Sequence, residues 1–66
     1  GISPKSFAQL ARFHRALRAA QADTGANWAR IAYDAGYYDQ AHLSGEFRSI
    51  AGATPRALLG ELRASL

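Results

Sequence analysis

The side chains that could do chemistry are few. His14 and His42 are the two histidines, and the chain has no cysteine. A zinc site needs three or four nitrogen, sulfur or carboxylate ligands. Two histidines on separate helices, with no paired carboxylate beside either, predict no metal site and no cofactor. Ser44 stands two residues from His42, which puts the pair on different faces of a helix, so no base is placed to activate the hydroxyl. Asp34, Asp39, Glu46 and Glu61 are scattered, and Asp39 suits a helix cap better than an acid catalyst. No strand precedes any glycine, so no phosphate-cradling loop is expected. The sequence does not describe an enzyme.

One stretch, residues 36–50, carries a different kind of pattern. Asp39 can accept the free N–H groups of a helix that starts after it. Leu43, Phe47 and Ile50 lie at i, i+4 and i+7, one apolar stripe facing inward. Ala41, Gly45 and Arg48 fall on the opposite side, flanked by Ser44 and Ser49. This outer face is short and uncluttered, where an ordinary solvated face carries long Glu and Lys side chains. Such a face suits close approach to another surface, as a helix entering a DNA groove requires.

The rest of the chain must position that helix. Its 66 residues allow one small domain, which on folding buries only about 60% of its unfolded surface. A hydrophobic content of 48% is ample for a core and too high for disorder. No apolar run reaches the roughly 18 residues of a membrane span, and the early arginines interrupt any signal-peptide pattern. Eight Lys+Arg against five Asp+Glu give a net charge of +3, which is compatible with an anionic partner without requiring one. With a helix signal immediately after Gly1, the sequence reads as a fragment of something longer.

Four helices are expected. Ser3-Pro4 combines an N-cap with a proline at the first helical position. From there to about residue 21 the apolar residues Phe7, Leu10, Phe13 or His14, Leu17 and Ala20 recur at helical spacing. Arg12, Arg15 and Arg18 form a stripe along this helix, read first as a solubilising face; Arg15 is its candidate phosphate contact. Asp23-Thr24-Gly25-Ala26 predicts a loop. Asn27 caps a second helix that buries Trp28, Ile31, Ala32 and Ala35, and Gly36 stands where a helix end favours a left-handed residue. A glycine-containing turn of about three residues then leads to the third helix, at about residues 40–51, in the pattern of a helix-turn-helix. Of the two tyrosines in the turn, Tyr37 is the better core candidate, and the Tyr38 hydroxyl is a candidate phosphate contact. Gly52 closes the third helix and Thr54-Pro55 opens a fourth, with Leu58, Leu62 and Leu66 in one row and Leu59 beside it. Gly60 weakens that helix by about 1 kcal/mol relative to alanine. The fold class is therefore all-α: a small four-helix, homeodomain-like helix-turn-helix bundle with a long N-terminal helix.

The run Ile31-Ala32, Ala35-Gly36-Tyr37-Tyr38-Asp39-Gln40-Ala41-His42-Leu43, Glu46-Phe47-Arg48 and Gly52-Ala53-Thr54-Pro55 strongly resembles the second helix-turn-helix of AraC/XylS-type bacterial transcription regulators. Gly1 to Phe7 resembles the stretch that closes that family's first helix-turn-helix. Arg12-Phe13 with Arg15-Ala16-Leu17 looks like its linker helix. The resemblance implies residues 1–22 as linker helix and 27–66 as the helix-turn-helix unit with its C-terminal helix. It implies a cytoplasmic protein that binds duplex DNA, with an upstream helix-turn-helix and a sensor domain outside this sequence. By position, the base-facing residues would be Gln40, Ala41, His42, Ser44 and Gly45, with Arg48, Tyr38 and Arg15 toward phosphate. Two departures stand out. Gly45 occupies a site where the family often has a long polar side chain. Leu58 and Leu59 replace an aromatic followed by arginine, which weakens the case for a phosphate contact from the last helix. The competing expectation is a helical protein-interaction module docking on RNA polymerase or an effector domain through exposed leucines of the last helix.

Overall fold

Local capping signals set where this chain becomes helical. The computed structural model describes residues 3–22, 25 and 27–64. Their elements are α1 (Pro4–Ala22), α2 (Trp28–Ala35), α3 (Gln40–Ala51) and α4 (Pro55–Ala64), with no strand among the described residues. The Ser6 amide donates to Ser3 Oγ at 3.1 Å. Ala29 and Arg30 amides donate to Asn27 Oδ1 at 3.0 and 3.2 Å. The His42 amide donates to Asp39 Oδ1 at 2.8 Å, and the Ala57 amide to Thr54 Oγ1 at 3.3 Å. Each cap satisfies donors that the first helical turn leaves without a partner.

The turn between α2 and α3 is closed by a Schellman arrangement. Gly36 has φ 100°, and its amide bonds Tyr33 O, while the Tyr37 amide reaches Ala32 O at 2.8 Å. Both bonds need a left-handed residue at 36, which glycine adopts without a Cβ penalty. Gly52, at φ 72°, ends α3 with a single bond to Arg48 O.

The core gathers Phe13, Ala16 and Ala20 of α1 with Ile31, Ala32 and Ala35 of α2, Tyr37 of the turn, Leu43 and Phe47 of α3, and Leu59 of α4. The Phe13 and Phe47 rings pack in a tilted contact, centroids 4.6 Å apart and planes at 52°. Burying side chains of this size contributes roughly 1.5–3 kcal/mol each. Trp28, Leu17 and Leu58 pack against its edge.

Several sequence expectations are corrected here. Phe7 is 67% exposed and Ala16 takes a core place instead. Apolar residues three apart drift by about 60° per step around a helix, so Phe7-Leu10-Phe13 winds away from the face that Phe13 presents to α3. The arginine stripe winds for the same reason, and it is not a uniform solubilising face. Arg12 reaches the buried Glu46, Arg15 bonds a backbone carbonyl, and Arg18 is exposed. Ile50 keeps the inward side of α3 but lies in its last turn, where it faces an open groove shared with Gln9 and is 37% exposed. The row in α4 is also revised. Leu59 is its buried anchor, and Leu58 and Leu62 are half-buried. The expected loop at Asp23, Thr24 and Ala26, the opening Gly1-Ile2, and Leu66 lie outside the described residues.

Candidate nucleic-acid interface

α3 is pinned from both ends and one side, which leaves a single ridge free. Asp39 holds its start and Gly52 its end, while Leu43 and Phe47 anchor it to the core. Ala41, Gly45, Arg48 and Ser49 are exposed along the opposite side. A Cβ placed on Gly45 would meet nothing within 4 Å. The ridge is therefore low, and another surface can approach the backbone of α3 there.

Two grooves border this ridge. One is lined by Trp28, Gln40, Ser44, Thr54, Pro55 and Arg56, so it lies between α3 and the starts of α2 and α4. The other is lined by Gln9, Ala41, His42, Gly45, Glu46, Ser49 and Ile50, between α3 and α1. Gln40 and Ser44, at i and i+4 on one side of α3, line the first groove, and Arg48 follows one turn further along the helix. Ser44 is half-buried in it. Arg48 and Arg56 are exposed, and their side chains make no hydrogen bond or ion pair among the described residues. Two guanidinium groups without a carboxylate partner, one on α3 and one in the first turn of α4, add positive field suited to phosphate.

Arg56 was not among the residues that sequence reasoning singled out. Its signal was present in Thr54-Pro55-Arg56, because a cap and a proline fix the first turn of α4 and thereby the direction of residue 56. What the linear chain did not reveal is that this turn packs beside Ser44.

The remaining expected residues divide. Tyr38 is 91% exposed at the head of α3, its hydroxyl open to a partner. His42 sits beside the ridge with both ring nitrogens facing protein groups: Nδ1 accepts from the Tyr38 amide at 3.1 Å, and Nε2 is 4.0 Å from Glu46 Oε2. Arg15 is not brought to the α3 ridge. It donates from Nη2 and Nε to Ala35 O at 2.9 and 3.3 Å and lines a groove between α1 and α2 to which α3 contributes nothing. Its role is to satisfy a carbonyl at the α2 C-terminus that the helix leaves open.

Beneath the ridge lies a polar cluster. The Arg12 guanidinium bridges Glu46, whose side chain is only 7% exposed, and lies 5.6 Å from the centroid of the Tyr37 ring. The hydrogen bond to Glu46 raises the Arg12 pKa further above its ordinary value. Burial first, then the negative charge of Glu46, holds the Tyr37 phenol well above its usual value. This cluster ties α1 to the helix-turn-helix and fixes the angle at which α3 is presented.

A model of the family described as "Helix-turn-helix domain" matches residues 1–61. No curated protein matches the chain. No solved structure matches it either. Among the described residues, no helix is long and apolar enough to cross a membrane.

Proposed function

The chain belongs to the AraC/XylS-type helix-turn-helix family of DNA-binding domains from transcription regulators, and on that premise we propose that α3 reads duplex DNA from the major groove. The observation that carries the reading is the low ridge at Ala41 and Gly45, bordered by Gln40 and Ser44. An α-helix fits the roughly 12 Å major groove only if its leading face lets the backbone approach the base edges. Gln40 and Ser44 supply amide and hydroxyl groups that hydrogen-bond base edges, with adenine the preferred partner of a bidentate amide. Arg48 and Arg56 hold phosphates on the side of the Ser44 groove, and Tyr38 reaches one at the head of the helix. Arg15 lies away from this surface, in the α1–α2 groove, with Nε and Nη2 donating to Ala35 O. α2 braces α3 from behind, and α1 sets its angle through Arg12 and Glu46. Such a protein works in the cytoplasm.

Docking on RNA polymerase or an effector domain relied on exposed leucines in α4. Leu59 is buried and Leu58 packs against the core, so among the described leucines of α4 only the half-buried Leu62 favours that reading.

The test is fluorescence anisotropy on labelled duplexes, titrated over salt. With two to four phosphate contacts from this unit, log K should fall against log salt with a slope of about −2 to −4. Arg48→Ala and Arg56→Ala should each reduce the slope by about 1, whereas Arg18→Ala, in the α1–α2 groove, should leave it unchanged. Ser44→Ala should alter the preference between duplex sequences. Without an upstream helix-turn-helix, affinity should sit in the non-specific range, on the order of 10⁻⁴–10⁻⁶ M. Adding one through the linker helix should raise it by a factor on the order of 10²–10⁴. Salt-independent binding, or none, would overturn the reading.

A further inference from the structure

We infer that His42 is a positioning residue that locks the turn of the helix-turn-helix, and that it does not read a base. The inference rests on the proposed role of α3 and assigns His42 a role different from the one its sequence position suggests.

The backbone accounting of the turn leads to it. The Tyr37 amide is used by Ala32 O, which completes the end of α2. The next amide, that of Tyr38, lies past the last acceptor of α2 and before the first turn of α3. At this exposed position an amide with no protein acceptor bonds only water, which does not hold the segment in place. His42 supplies the missing acceptor: its Nδ1 takes the Tyr38 N–H at 3.1 Å. A nitrogen that accepts carries no proton, so the neutral ring holds its proton on Nε2. That side of the ring looks toward Glu46 Oε2 at 4.0 Å, a carboxylate already bridged by Arg12. The ring also stands edge-on to Tyr37, centroids 5.2 Å apart at 89°.

Nδ1 is thus committed to the turn and one side of the imidazole to Tyr37, while 44% of the side chain remains in solvent. To take a proton from a base edge on Nδ1 the ring would have to leave the Tyr38 amide and the flank of Tyr37 together, and Nε2–H is drawn toward the Glu46 carboxylate. The His42 amide meanwhile donates to Asp39 Oδ1 at 2.8 Å. Residues 38, 39 and 42 therefore form one unit: the Asp39 side chain takes the His42 amide, and the His42 side chain takes the Tyr38 amide. Its product is a fixed first turn for α3 and a fixed backbone under the exposed Tyr38. Loss of the imidazole should loosen the approach of α3 to every duplex alike.

Two substitutions and two readouts test this. Binding is measured by anisotropy on two duplexes of different sequence, for the unsubstituted protein, His42→Ala and His42→Asn. Hydrogen exchange of the Tyr38 amide is compared by NMR with that of the Tyr37 amide, which is held by Ala32 O and reports global opening. His42→Ala should weaken binding to both duplexes by a similar factor, roughly threefold to tenfold for one lost hydrogen bond. It should accelerate exchange at Tyr38 more than at Tyr37. Asparagine can offer its carbonyl oxygen to the same amide, so His42→Asn should restore both measurements. Unchanged Tyr38 exchange in His42→Ala would overturn the inference, as would a changed preference between the two duplexes. If the unsubstituted protein binds neither duplex, the proposed function fails, and the exchange comparison still decides whether His42 holds the turn.

Discussion

Arg12 of α1 and Glu46 of α3, 34 positions apart in the chain, meet as a two-pronged ion pair: Nε donates to Oε1 at 3.3 Å and Nη2 to Oε2 at 3.0 Å. The two ends differ in exposure, with 23% of the Arg12 side chain in solvent against 7% for Glu46. Breaking a fully buried pair from one side costs about 3–5 kcal/mol, and the partial exposure of Arg12 lets water relieve some of that. Arg12→Leu should therefore destabilise by about 2–3 kcal/mol, because the carboxylate stays buried without its partner. Adding Glu46→Leu should recover part of the loss. Urea melts of the two single variants and the double variant measure this; strictly additive losses would mean the pair does not couple α1 to α3.

Phe47 and the proposed base contact Ser44 should separate stability from recognition on one helix. Phe47 is fully buried and packs on Phe13, so Phe47→Ala should cost about 3–5 kcal/mol. Against a total stability of about 5–15 kcal/mol, the loss could unfold so small a domain. Ser44→Ala should leave the melting temperature nearly unchanged. Thermal denaturation followed by circular dichroism decides between them, and a well-folded Phe47→Ala protein would reverse the assignment of the two faces.

Gly45 and Gly36 should respond oppositely to alanine. A methyl at Gly45 meets nothing within 4 Å and the residue is mid-helix, so Gly45→Ala should stabilise by roughly 0.5–1 kcal/mol. At Gly36 there is room as well, the nearest atoms being Arg15 Nη2 at 3.5 Å and Arg12 Cδ at 3.7 Å. There φ of 100° sets the penalty, and Gly36→Ala should cost about 1–2 kcal/mol. Denaturant midpoints give both signs. Weaker duplex binding by the stabilised Gly45→Ala protein would identify a close backbone approach that requires glycine.

The Tyr37 hydroxyl is buried without a hydrogen-bond partner among the described residues. Glu46 acts on it through charge, without a well-formed bond. Because an orphaned buried hydroxyl costs about 1–3 kcal/mol, Tyr37→Phe should be neutral or stabilising by about 1 kcal/mol near pH 7. The pH dependence follows from the raised phenol pKa. The folded state keeps its proton where the unfolded chain begins to lose it, at about pH 10. Stability from this group is thus fully present below about pH 10 and declines as pH rises through the folded value. Urea melts stepped through alkaline pH should show that decline, and Tyr37→Phe should flatten it.

The sequence alone determined where each helix begins, where α2 and α3 end, and which residues α3 turns outward. Ser3, Asn27, Asp39 and Thr54 cap by bonds to amides two or three residues ahead, and Gly36 and Gly52 close helices through bonds reaching back three to five residues. Signals of that range lie wholly within a short window. The inward Leu43 and Phe47, the outward Ala41 and Gly45, and the burial of Tyr37 after its glycine follow from helical period and turn chemistry. Only the tertiary structure decided what happens between helices. It turned Arg12 toward a glutamate 34 residues away and Arg15 toward the end of α2, and brought Arg56 beside Ser44. It left Phe7 and Ile50 in solvent and made Leu59 the anchor of α4. The physical reason is that a local pattern gives a side chain's direction around its own axis. What that direction meets depends on how the helices cross, and their crossing is set by close packing of the whole core at once.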